Sequence, residues 1–174
     1  MCPTGTEFGV PTDFAALFAV LAAARIRFVV VGELAVLLHG LDRLTADIGL
    51  VIDLSPDAAG DTVQALTGTG YRPLAPVDPA GLADPARRSE WQTRRGMQVF
   101  SFWDATNTRP TVDVMLSSAV PFKELWAGSI PVQIAGTKIQ VASIPHLIRL
   151  KATAGRPQDL ADIERLRALV PPPG

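Results

Sequence analysis

The sequence predicts a mixed α/β fold, in which a sheet is flanked by helices and followed by a helical C-terminal part. Segments with helical spacing alternate with short β-branched segments up to residue 141, and two helical segments fill residues 144–169. The chain has 174 residues, 48% of them hydrophobic, which is enough for one compact domain with a sizeable core. We expect this domain over residues 12–170, preceded by an irregular arm over residues 1–11.

The first elements of the chain are a helix and a buried strand. Thr12 and Asp13 are typical helix-capping residues, and apolar residues recur behind them at helical spacing as far as Leu21. The β-branched run over 27–31 then predicts a buried strand that ends at Gly32.

Two helices and a second strand follow. The apolar segment 33–39 predicts a short helix, which Gly40 ends. Alternating residues over 45–53 predict a strand, and residues 57–68 are typical of a helix closed by glycines. Residues 73–90 are rich in Pro, Ala and Asp, and we interpret them as a loop with at most one short helix.

The second half of the chain is predicted to hold four strands and two helices. The strand pairs are separated by turn-forming residues, and Gly155 and Pro157 interrupt the helical part. The predicted strands cover 98–103, 111–115, 130–134 and 137–141, and the predicted helices cover 144–154 and 159–169.

Composition excludes several classes of protein. Charged residues make up 19% of the chain and the formal net charge is −1, so a strongly basic nucleic-acid surface is absent at whole-chain level. The single cysteine, Cys2, excludes an internal disulfide framework and a cysteine-based zinc site. We expect no membrane span and no signal peptide, because no apolar run reaches about 18 residues and the start lacks basic residues. These features predict a cytoplasmic protein.

The acidic residues of two predicted strands are the strongest functional signal. Strand alternation places Asp47, Gly49, Val51 and Asp53 on one face, which we expect to be open to a cleft. Asp113 lies between two inward-facing valines on a later strand. Carboxylates at such positions are costly unless they bind cations or hydrogen-bond donors, and carboxylate oxygens are ligands that Mg²⁺ prefers.

The junction between the first strand and the helix behind it adds a second, weaker signal. Gly32 lets a ligand approach the backbone closely, and the free N–H groups at a helix start suit phosphate. Because such junctions occur in many α/β proteins, a purely structural role for Gly32 stays open.

Taken together, these motifs resemble the nucleotidyltransferase superfamily, which has the polymerase-beta-like fold. More narrowly, the sequence is similar to the small bacterial proteins grouped with the AbiEii-type toxins. The resemblance covers most of residues 25–165, and its parts are specific in their order and spacing. The matching residues are Gly32-Glu33, His39-Gly40, Arg43, Thr45, Asp47, Gly49, Asp113 and the segment 150–162.

The resemblance implies a nucleotidyltransferase-type mixed sheet and a site for Mg²⁺ and a nucleoside triphosphate (NTP). Asp47 and Asp113 would be the catalytic residues and the metal ligands. The protein would transfer a nucleoside monophosphate from the NTP to a hydroxyl group of RNA, such as tRNA, or of a protein. The implied nucleotide-binding residues are Gly32, Glu33, Arg43, Thr45, Lys151 and Arg156.

The chain departs from the family pattern at two positions. Gly49 replaces the second acid of the Asp-x-Asp pair, which removes a ligand shared by two metal ions, and its sequence context gives no structural reason for a glycine. Asp53 lies about 13 Å further along the strand and cannot replace it. Glu33 replaces a small residue and would oppose a triphosphate if it points inward. The alternative is therefore a catalytically degenerate module that binds a nucleotide or a protein partner, such as an antitoxin.

Several charged residues carry two interpretations each. Arg43 and Thr45 either bind nucleotide or brace the loop before the second strand, and Arg156 either binds phosphate or forms a hinge ion pair with Asp159. The two arginine pairs around Trp91 belong either to a solvated loop or to a clamp in which Trp91 stacks on a base. The arginine pairs are Arg87-Arg88 and Arg94-Arg95.

Overall fold

A computed structural model describes residues 12–173, so the arm predicted over residues 1–11 lies outside the described residues. The predicted fold class is confirmed, since a seven-stranded mixed sheet is accompanied by helices along the whole described range. The strands are β1 (Phe28–Val31), β2 (Asp47–Ile52), β3 (Tyr71–Pro73), β4 (Val99–Asp104), β5 (Thr111–Met115), β6 (Ile130–Ile134) and β7 (Thr137–Val141). The helices are α1 (Thr12–Ala23), α2 (Gly32–Leu38), α3 (Pro56–Gly68), α4 (Pro85–Arg95), α5 (Phe122–Gly128), α6 (Ile144–Ala154) and α7 (Pro157–Leu169).

The order of the strands brings the two acidic strands together at the centre of the sheet. The order is β3-β4-β5-β2-β1-β7-β6, with β2 parallel to β5 and antiparallel to β1. In this register Gly49 is the neighbour of Asp113 on one side and of Val31 on the other. Position 49 therefore lies between the end of β1 and the acid of β5.

Apolar residues of the central strands hold the sheet and its helices in place. All four residues of β1 are buried, and Ile48 and Leu50 of β2 are fully buried on the face opposite Asp47. Burial of each such side chain stabilises the fold by about 1.5–3 kcal/mol. Phe18 of α1 stacks on Phe28 with ring centroids 5.8 Å apart, which fixes α1 against the sheet.

The prediction of a loop with at most one short helix over residues 73–90 is wrong, because two helices occupy much of this range. A 3₁₀ helix occupies Pro79–Ala83, and α4 begins at Pro85 after Asp84, whose carboxylate accepts a hydrogen bond from the Ala86 N–H at 2.9 Å. Apolar periodicity could not reveal α4, because Trp91 is its single buried residue. β3 was also missed, since three residues are too few to establish a period, and α5 was missed because its seven residues lack the continuous apolar run that predicted α2.

Along the described residues, every helix is too short or too polar to cross a membrane.

Candidate functional site

A cleft of about 840 Å³ opens over the exposed face of β2 and β5. The sequence predicted that Asp47, Gly49 and Val51 share one face of a strand, and all three line this cleft. Asp53 does not line it and instead forms an ion pair with Arg27 at 3.1 Å. Across the cleft from the sheet, α2 and the junction of α6 and α7 contribute charged residues, namely Glu33, Lys151, Arg156 and Asp159.

Of the two acids that the sheet contributes to the cleft, Asp113 is half-buried and Asp47 is exposed. The Ser101 hydroxyl donates a hydrogen bond of 2.6 Å to Asp113 Oδ1, which leaves Oδ2 free to face a ligand. Burial raises the pKa of Asp113, the Ser101 hydrogen bond offsets part of this effect, and the nearby Asp47 charge raises the pKa further. A cation in the cleft would offset both the cost of burying the Asp113 charge and the repulsion between Asp113 and Asp47.

Gly49 has a structural reason that its sequence context does not reveal. A Cβ atom at position 49 would lie 3.1 Å from the Val31 carbonyl oxygen and 3.4 Å from Val31 Cγ2. Any larger residue therefore requires Val31 to move by a few tenths of an ångström. Val31 immediately precedes Gly32, whose φ of +71° favours glycine and turns the chain from β1 into α2.

Thr45 braces the start of β2, as one of its two interpretations predicted. Its hydroxyl donates to the Asp47 carbonyl oxygen at 2.8 Å and accepts from the Asp47 N–H at 3.4 Å. These contacts fix the backbone that carries the exposed Asp47 carboxylate. Thr45 also lines the cleft, so its hydroxyl lies beside any bound ligand.

The cations predicted to hold phosphate take part in an internal charge cluster, which consists of Glu33, Arg43, Lys151, Arg156, Asp159 and Asp162. Lys151 Nζ lies 3.3 Å from Glu33 Oε1, 3.4 Å from Asp159 Oδ1 and 2.9 Å from Asp162 Oδ2. Arg43 Nε lies 3.1 Å from Glu33 Oε2, and Arg43 also pairs with Asp162. The structure thus ties α2, the following loop, α6 and α7 together through charged side chains.

Burial makes this charge cluster part of the fold. The side chains of Lys151, Asp159 and Asp162 are at most 6% exposed. The predicted hinge pair is present, with Arg156 Nε 2.7 Å from Asp159 Oδ2. Burial raises the pKa of Asp159, but the hydrogen bond and charge of Arg156, together with Lys151, outweigh it and lower the pKa. Truncating one buried member would leave one charge of the cluster without compensation.

Three carboxylates of the charge cluster have oxygens within 4.8 Å of one another, a spacing that would suit a metal ion. The Lys151 ammonium group, however, contacts all three of them. The three cations of the cluster match the three carboxylates, so the arrangement is electrically balanced without a metal. We therefore assign the cluster to internal ion pairing. The carboxylates are Glu33, Asp159 and Asp162.

Asp47 and Asp113 fit one Mg²⁺ ion better than a pair of ions. Mg²⁺ is usually held by one or two carboxylates together with substrate phosphates and water, and the sheet offers two carboxylates to the cleft. Oδ2 of Asp113 and the exposed Asp47 carboxylate supply suitable oxygen donors. A second ion would need the carboxylate that Gly49 lacks.

The clamp hypothesis for Trp91 is wrong. Trp91 is 4% exposed and stacks on Phe100 with ring centroids 5.2 Å apart, so no base can reach its face. Arg88 donates to the Leu82 carbonyl oxygen, and Arg94 lies on the solvent side of α4, near Glu90. The stacking of Trp91 on Phe100 anchors α4 to the sheet, and the Arg88 hydrogen bond anchors it to the 3₁₀ helix before it.

The structure resembles solved nucleotidyltransferases along nearly its whole length. The lincosamide antibiotic adenylyltransferase LnuA, solved with lincomycin bound, aligns over 92% of this chain and 98% of its own, with a TM-score of 0.61 and 13% identity. ANT(2'')-Ia, solved in complex with adenylyl-2''-tobramycin, aligns over 91% of this chain and 92% of its own, with a TM-score of 0.55 and 15% identity. An antigenic nucleotidyltransferase-like protein from Paracoccidioides brasiliensis aligns over 93% of this chain and 77% of its own, with a TM-score of 0.55 and 16% identity.

Sequence comparison adds nothing to this likeness, since neither a family model nor a curated protein matches the chain. At identities of 13–16% the likeness establishes the fold and leaves the activity to the residues of the cleft. With its seven-stranded mixed sheet and its helices, the chain has the nucleotidyltransferase fold.

Proposed function

We propose that this chain binds an NTP together with one Mg²⁺ ion in the cleft and acts as a nucleotidyltransferase on a hydroxyl acceptor. The observation that carries the proposal is the placement of Asp47 and Asp113 on adjacent parallel strands that face one cleft. Residues 12–170 would form the one domain that performs this function. The nucleotidyltransferase fold supports the reaction class by analogy.

In this reaction the acceptor hydroxyl attacks the α-phosphorus of the NTP, and the bond from that phosphorus to the bridging oxygen of pyrophosphate breaks. Asp47 and Asp113 would hold Mg²⁺, which would polarise phosphoryl oxygens and offset the negative charge of the leaving pyrophosphate. Oδ2 of Asp113 would be a ligand of that ion while the Ser101 hydroxyl holds Oδ1, and the proton of the acceptor hydroxyl would pass to water in the open cleft. Thr45 would keep the Asp47 backbone in place during the transfer.

The acceptor is a separate part of the proposal. The family resemblance implies a hydroxyl of RNA or protein, and the narrower resemblance to AbiEii-type toxins adds an antitoxin as a partner. LnuA and ANT(2'')-Ia were solved with an antibiotic or an adenylylated antibiotic. A growth assay during expression of this chain alone would test the toxin hypothesis, because a toxin without its antitoxin arrests growth.

A transfer assay with α-labelled NTPs and Mg²⁺ tests the proposed reaction. Total RNA, total protein, lincomycin and tobramycin should be offered in parallel, and label should appear on at least one of them. Asp113→Asn should remove the label without loss of fold. If the wild type binds Mg²⁺·ATP in calorimetry but labels no acceptor, the transfer proposal is wrong.

The second candidate function, a module that binds a nucleotide without transfer, is favoured by two observations. Gly49 leaves the place beside Asp113 without a carboxylate, and Lys151 is paired with acids. Such a module would bind Mg²⁺·ATP and give no labelled product. The same pair of measurements therefore separates the two functions.

A further inference from the structure

Glu33 differs from the other carboxylates of the charge cluster because it borders the cleft with a partly exposed side chain. Its side chain is 25% exposed, whereas those of Asp159 and Asp162 are 1% and 0% exposed. Its two oxygens contact two different cations, Oε1 at 3.3 Å from Lys151 Nζ and Oε2 at 3.1 Å from Arg43 Nε. One carboxylate thus bridges Lys151, which also lines the cleft, and Arg43, which lies behind it.

We infer that the Glu33 carboxylate limits the affinity of the cleft for phosphate groups, since it fills the place of an anion between Lys151 and Arg43. The inference rests on the proposed function, because it concerns the same cleft and the same class of ligand. By this inference, the charge of Glu33 limits how tightly the cleft binds the triphosphate.

The charge balance of the cluster supports this assignment. Three carboxylates face three cations while Glu33 is ionised, so a phosphate group that enters the cleft meets no net positive charge from the cluster. Asp47 and Asp113 add further negative charge where the sheet lines the cleft. Without the Glu33 charge, the cluster would carry one uncompensated positive charge beside the cleft.

Lys151 would remain in position if Glu33 lost its charge. Asp159 and Asp162 hold Lys151 Nζ from the buried side, at 3.4 Å and 2.9 Å. Asp162 also retains its contact with Arg43. Removal of the Glu33 charge therefore leaves both cations anchored and frees the cleft-lining Lys151 for another anion.

The variant Glu33→Gln tests the inference, with inorganic triphosphate and Mg²⁺·ATP as the probes in titration calorimetry. We expect both probes to bind about fivefold to tenfold more tightly than to the wild type, because removal of one like charge at a few ångströms changes the interaction by this order near a solvated surface. The gain should shrink as ionic strength rises, since salt screens the charge. Glu33→Ala should give the same gain and replaces Glu33→Gln if that variant does not fold.

Glu164→Gln is the matched control, because it makes the same change of net charge at a side chain that is 74% exposed and lies outside the cleft. It should bind both probes as the wild type does. If wild type and Glu33→Gln bind the probes equally, the inference is overturned while nucleotide binding in the cleft stands. If no variant binds Mg²⁺·ATP, the wild type included, both the inference and the proposed function are overturned.

Discussion

Replacement of Gly49 by Asp tests whether the missing acid is what limits metal binding in the cleft. Glycine in a strand interior costs about 0.5–1 kcal/mol relative to alanine, so a side chain at position 49 regains that amount. The contact of 3.1 Å with the Val31 carbonyl oxygen opposes the gain, and overpacking of this kind costs about 1–3 kcal/mol. Gly49→Ala is the control, because it has the same gain in strand stability and the same contact with Val31 but adds no charge.

The difference between Gly49→Asp and Gly49→Ala isolates the carboxylate. Position 49 is the register neighbour of Asp113, and adjacent strands lie about 4.8 Å apart. Two carboxylates at this separation on a solvated face repel by about 1 kcal/mol. Without metal, Gly49→Asp should therefore be less stable than Gly49→Ala by about 1 kcal/mol, or about 2–4 °C in melting temperature.

Magnesium should reverse this order. A ligand at about 100 times its dissociation constant stabilises the folded state by about 2.7 kcal/mol. Thermal and urea unfolding of both variants, in EDTA and in Mg²⁺ with ATP, measures the effect. If Mg²⁺ and ATP stabilise the two variants equally, a carboxylate at position 49 does not complete a metal site and the geometric reasoning is refuted.

Three further predictions follow from the observed contacts. Because the pKa of Asp113 is raised mainly by burial, its ionisation costs stability as pH rises through that pKa. Asp113→Asn should therefore melt at a higher temperature than the wild type at pH 7. The difference in melting temperature should vanish below about pH 4, near the pKa of an unfolded Asp. A difference that persists at pH 3 would contradict this prediction. Lys151→Met should lower the free energy of unfolding in urea by about 3–5 kcal/mol, since it leaves three carboxylates with two cations and therefore one buried negative charge uncompensated. A loss below about 1 kcal/mol would show that the ion pairs of Lys151 do not stabilise the fold. Trp91→Ala should lower the free energy of unfolding by about 3–5 kcal/mol in the same assay, because it empties a buried site. Arg94→Ala should change the free energy of unfolding by less than about 0.5 kcal/mol and leave Mg²⁺·ATP binding unchanged. Weaker binding by Arg94→Ala would restore a ligand-contacting role for α4.

The parts of the site that depend on local strand geometry were accessible from the sequence. Side chains alternate across a strand with a period of two residues, so the common face of Asp47, Gly49 and Val51 follows from spacing alone. The same rule separated Asp113 from the buried valines beside it, and the structure places it on the cleft. The strand–glycine–helix junction at Gly32 was visible for a similar reason, since a glycine at the end of a β-branched run is a local signal.

The pairing of charges was decided by the tertiary structure. Lys151 and Glu33 are 118 residues apart, and they meet because α6 and α2 pack against each other beside the cleft. No local period carries that information, and the sequence left phosphate binding as the role of Lys151. Likewise, the close approach of position 49 to Val31 depends on the register of two strands, which becomes defined only when the sheet forms.

The sequence by itself therefore determined the order of most elements and the two acids of the cleft, because both follow from the periodicity of neighbouring residues. The tertiary structure alone decided which cations are available to a ligand, why position 49 is a glycine and where Trp91 packs. These properties depend on contacts between segments far apart in the chain, and the free energy of such contacts comes from burial and charge pairing that exist only in the folded state.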